Sequence, residues 1–179
     1  MTLKSPSVRR GLLVLHVASS VGWLGAVVVS TMLAVAALVS PDVDIVRAVW
    51  LIMPIIGWAA LLPLSLLSLA TGVVQSLGTR WGLFRHYWVL IKLALNLLAA
   101  LVLLLYLETL DQFAAAARAG AISSQGGNPG EASPLIHGIG ALALLVVALA
   151  LSVFKPAGVT RHGVRRAGQE RVGTRTPVR

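Results

Sequence analysis

Five polar side chains interrupt long apolar runs at positions where they could do chemistry: His16, Thr71, Gln75, Lys92 and Asn96. A neutral imidazole is a metal ligand or a proton carrier, so His16 is the candidate metal ligand. The Lys92 ammonium would pair an anionic group such as a carboxylate or propionate. Asn96, Thr71 and Gln75 would shape such a site by hydrogen bonding. Other chemistries find little support. With no cysteine there is no thiolate nucleophile, no Cys metal site and no disulfide framework. There is also no HExxH, no Gly-rich phosphate loop after a strand, and no Ser–His–Asp order. No catalytic residue is assigned.

The elements that must position these groups read as membrane spans. Leu12 to Val39 is a run of 28 residues without Asp, Glu, Lys or Arg. At about 1.5 Å per residue a helix of that length exceeds the ~30 Å hydrocarbon core of a bilayer. The whole chain is 57% hydrophobic and 12% charged, against roughly 25% charged in soluble domains, so lipid is the expected solvent. A signal peptide is disfavoured, because its apolar region is about 7–15 residues. The expected fold is all-α, a polytopic four-helix membrane bundle with spans at 12–39, 48–74, 88–107 and 135–154. Residues 1–11 precede it, and 155–179 form a basic tail read as disordered.

Details of each span carry expectations. Ala18, Gly22, Ala26, Ser30 and Ala34 make a small-residue stripe suited to close helix approach, within the chain or against a second copy or membrane partner. His16, Ser19, Ser20 and Trp23 share a neighbouring face. Asp42 or Asp44 is positioned to cap the second span, and Pro54, Gly57 and Pro63 predict a kink in it. Glu108 to Ala119 reads as an aqueous continuation of the third helix, stopped at Gly120. Residues 76–87 and 121–134 read as loops.

Lys and Arg distribution sets the expected orientation. The N-terminus holds three, the 76–87 loop two and the segment from Lys155 onward seven. The 40–47 and 108–134 connections hold one each, Arg47 and Arg118. Both termini are therefore expected in the cytoplasm of a multi-pass cell-membrane protein. The net charge of +9 is explained this way without nucleic acid. The tail would meet anionic lipids at about 1 kcal/mol per basic residue, or serve only as a topology determinant.

With that threading, His16 and Lys92 each lie about 6 Å into the apolar layer, and Asn96 about 12 Å, on the same side as Thr71 and Gln75. Intramembrane ionisable groups usually face a bundle interior and a partner. The competing reading is structural: Lys92 snorkels to the headgroups and His16 bonds Ser20 or a neighbouring helix. His137 lies some 20 Å away, at the outer end of the fourth span, too far to share a metal with His16.

LHVASSVGWLGA at residues 15–26, Thr71-Gly72 and Lys92-Leu93 together resemble a broad set of small bacterial membrane proteins. These are the CopD-type copper-resistance proteins, the HemJ-type protoporphyrinogen oxidases and a family of predicted integral membrane proteins of unknown function. The resemblance covers about Leu12 to Leu107 and is nearest to the last group. Resemblance to the HemJ type implies that His16 associates with a haem or porphyrin and that Lys92 is its companion. Two departures stand against carrying over either activity. Ala99 to Val102 are apolar where that type has histidines, and three methionines are few for copper transport. Two functions are thus expected to compete: a membrane protein binding haem, porphyrin or a metal in its cytoplasmic half, or a small transporter or accessory subunit without a cofactor.

Overall fold

The computed structural model describes residues 5–78, 83–121, 132–156 and 158–160. Among these, four helices are long and apolar enough to cross a membrane: Pro6–Val39, Val43–Gly78, Tyr87–Arg118 and Ser133–Phe154. We call them α1 to α4. Each packs on its chain neighbours, and α4 closes back on α1, while the diagonal pairs stay apart. The result is an up-and-down four-helix bundle, the expected all-α fold. Its exterior is apolar: Leu105, Ile136 and Phe154 are exposed, Phe154 at 81%. So much apolar surface would be unstable in water and suits lipid. The chain is built as a multi-pass membrane protein.

The helices outrun the expected spans, because helix geometry continues past the apolar stretch wherever no breaker intervenes. α1 begins six residues before Leu12, with Pro6 at its first turn, where a missing N–H costs nothing. The Asp42 carboxylate accepts the Asp44 N–H at 2.9 Å and caps α2. α3 runs unbroken through the stretch expected to be its aqueous continuation, to Arg118, with Leu110 and Ala117 of that stretch buried in the core, and ends in a Schellman turn. There Gly120 takes φ +69°, and the Ala121 N–H reaches back to the Ala116 carbonyl at 3.0 Å.

The expected irregularity of α2 takes a specific form. Gly57–Leu61 is a π-helical turn, closed by the Leu62 N–H on the Gly57 carbonyl. Pro63 follows at once. It has no N–H for the Ala59 carbonyl, and its ring would strike that carbonyl in a regular helix. Widening the turn relieves both problems. Gly57 also brings α2 onto α3: a Cβ there would lie 2.6 Å from Leu107 Cδ2.

Two apolar clusters fill the bundle. One joins Ala34, Trp50, Met53, Leu107 and Leu110 and includes a Trp50–Phe113 stack at 4.8 Å. The other joins Trp23, Val27, Leu61, Ala99 and Leu145. The small-residue stripe of α1 is used only in part. Ser30 and Ala34 are buried and Gly22 touches Leu64, but Ala18 is exposed. The stripe's four-residue period drifts off a 3.6-residue helix, so its first member turns away from the neighbours.

After α4 the chain does not leave the bundle immediately. His86 and Val159 form an antiparallel bridge, and the Thr160 N–H donates to the Arg85 carbonyl at 3.0 Å. The expected tail thus begins as a docked segment that pairs with the connection between α2 and α3. The remainder of that tail, most of the 121–134 loop, and Arg80 and Trp81 of the 76–87 loop lie outside the described residues.

Candidate functional site

α1 and α2 meet along a polar seam at the end of the bundle that also holds the α2–α3 connection. Antiparallel packing sets Leu12, His16 and Ser20, one turn apart on α1, against Gln75, Thr71 and Ser68 on α2. Gln75 Nε2 donates to the Leu12 carbonyl at 2.7 Å. The Ser20 and Ser68 hydroxyls are 2.7 Å apart. Between these contacts sits the half-buried His16 ring. Its Nδ1 is 3.0 Å from Thr71 Oγ1 and 3.1 Å from the Ser68 carbonyl oxygen.

These bonds assign the imidazole tautomer. The Ser68 carbonyl can only accept, so Nδ1 must carry a proton. Thr71 agrees, because its own hydroxyl donates to the Leu67 carbonyl at 2.6 Å and leaves Oγ1 to accept from His16. In the neutral ring Nε2 then bears the lone pair, the state of a metal ligand or proton acceptor. No hydrogen bond from another described residue reaches Nε2. Gly72 completes the seat. A Cβ there would lie 3.2 Å from His16 Cε1, so the ring rests on the bare backbone of α2. Thr71-Gly72 therefore works as one unit, a hydrogen-bond acceptor beside a gap shaped for the ring.

The other expected members are arranged differently. Lys92 is half-buried on α3 and stands close enough for its charge to act on His16. Asn96, one turn further along, is buried. No hydrogen bond or ion pair joins either to another described residue. Gln75 is spent on the α1 backbone and fastens the helix pair. The structure thus brings His16, Ser68, Thr71 and Gly72 together and leaves Lys92 and Asn96 on α3, outside that hydrogen-bonded set. Ser68 contributes through its carbonyl, which residue type alone cannot signal. Among the described residues no three His, Asp or Glu side chains gather as a metal site.

His137 lies elsewhere. Its ring stacks on Tyr106 at 4.1 Å, and Tyr106 is 14 residues, about 21 Å, beyond Lys92 along α3. One metal cannot join His16 and His137. Neither Tyr106 nor the stacked pair stood out in the sequence; the available signal was a lone Tyr inside an apolar run.

Comparison with protein-family models, with curated proteins and with solved structures finds no match to this chain.

Proposed function

We propose that the chain is a cell-membrane protein with both termini in the cytoplasm, and that His16 binds a haem, or another metal-bearing porphyrin, through Nε2 in the cytoplasmic half of the bundle. The observation that carries this reading is the double commitment of Nδ1 to Thr71 and Ser68, which orients the ring and keeps Nε2 available. A bare metal ion would need several protein ligands, and none gather near His16 among the described residues. A haem would bring four nitrogen ligands for its own iron and would need little more from the chain than His16. Lys92 would face its propionates, and Asn96 would bond the same edge. The twelve Lys and Arg at the termini and in the 76–87 loop, against one in each opposite connection, support the orientation. They would also hold anionic lipid.

The protein purified in mild detergent and titrated with haemin should develop a saturable Soret band, and His16→Ala should lose it. An unchanged band in His16→Ala, or none in the parent, would overturn the assignment. A reporter fused after the last residue should be active only in the cytoplasm; activity outside would reverse the threading.

One observation favours a second reading, a small transporter or accessory subunit with no cofactor. The His16 seat is also a helix-packing device, since every partner of the ring lies on the adjoining helix. In that case His16→Ala loosens α1 from α2 and no pigment binds to either form.

A further inference from the structure

A cavity of about 580 Å³ lies between α1, α3 and α4, with Met53 and Leu61 of α2 also in its wall. Its volume falls within the ~300–1,000 Å³ typical of small-molecule sites. Trp23, Val27, Leu95, Ala99 and Leu144 are among its walls, which are almost wholly apolar. His16 and Lys92 do not line it. Its mouth faces sideways: Leu98 and Val102 of α3 and Ile136 and Val147 of α4 line it and are themselves exposed. Only Pro134, Leu145 and Ala148 of α4 are buried, so much of the helix is left uncovered along the cleft. A guest would therefore enter from the lipid phase rather than from water.

One end of the cavity is polar and flat. There the Tyr106 and His137 rings stack with 15° between their planes. His137 Nδ1 is 2.8 Å from the Ser133 carbonyl oxygen, which can only accept. The proton is therefore on Nδ1, and Nε2 offers a lone pair to a donor. The Tyr106 hydroxyl is buried beside Ser133 without a well-formed hydrogen bond. A ring-shaped head carrying a hydroxyl would satisfy Nε2, and an apolar tail would fill the remaining volume.

We infer that the α3–α4 cleft binds a quinol-class amphiphile, with its hydroxyl on His137 and its tail toward Trp23. An acyl chain of a bulk phospholipid matches the walls but has no use for the aromatic end.

The fold itself supplies a test variant. A Cβ built on Gly140, an exposed residue on the rim of the cavity, meets nothing within 4 Å, so Gly140→Leu adds a side chain at the mouth of the cleft without disturbing the packing. Decylubiquinol, kept reduced under argon, is titrated into the detergent-solubilised protein and bound quinol is counted after rapid desalting. Saturable one-to-one binding is expected. Gly140→Leu should weaken it by about tenfold and His137→Phe by about three- to tenfold, the second by removing the Nε2 hydrogen bond while keeping the stack. His16→Ala should leave it unchanged. Unsaturable partitioning, equal binding in either cleft variant, or retention of phospholipid alone would overturn the inference.

Discussion

Gly138→Leu is expected to lower the thermal midpoint of the bundle in detergent by roughly 5–10 °C, as overpacking costs about 1–3 kcal/mol. Gly138 is where α4 meets α1. A Cβ there would collide with Thr31 Oγ1 and lie 3.2 Å from Thr31 Cβ. Thr31 cannot swing aside freely, because its hydroxyl donates to the Val27 carbonyl at 2.7 Å. Leucine would push the helices apart along a contact that depends on close backbone approach. Gly140, two residues on, is the matched control, since its Cβ would enter open space. Circular dichroism melts of the two variants should therefore differ sharply. Equal midpoints would show that α1 and α4 do not approach at Gly138.

The second large effect is a coupling. Gly72→Val should destabilise the protein by about 2 kcal/mol, because the new side chain occupies the seat of the His16 ring. In a His16→Ala background the same change should cost little, since the ring it displaces is gone. The resulting interaction energy should be at least about 1 kcal/mol, large for a pair but ordinary for residues in direct contact. Unfolding of the four proteins of this cycle in mixed SDS micelles measures it directly. Additive effects would mean that the ring does not rest on Gly72.

Both effects turn on glycines that look alike in sequence. Gly57, Gly72, Gly138 and Gly140 all sit in apolar helices, yet three are pressed against a neighbour and one faces open space. Composition cannot separate them, because the difference lies in what the adjoining helix places opposite. The same holds for the polar residues. Thr71 and Gln75 occupy one face of α2 at helical spacing, but only Thr71 meets the imidazole, while Gln75 meets the α1 backbone.

The amino-acid sequence by itself determined the all-α class and the number of helices long and apolar enough to cross a membrane. Long runs without charge cannot be hydrated, prolines and glycines break ladders locally, and caps act within one turn. Those are short-range rules, legible from neighbours along the chain. It also singled out His16 with Thr71-Gly72. Only the tertiary structure decided which nitrogen of His16 stays available, that Ser68 answers it through its carbonyl, and that a cleft lined by α3 and α4 is left in the bundle. Each depends on the rotation and depth of one helix against another. Those are settled by a few contacts, such as Gly138 on Thr31, between residues far apart in the chain.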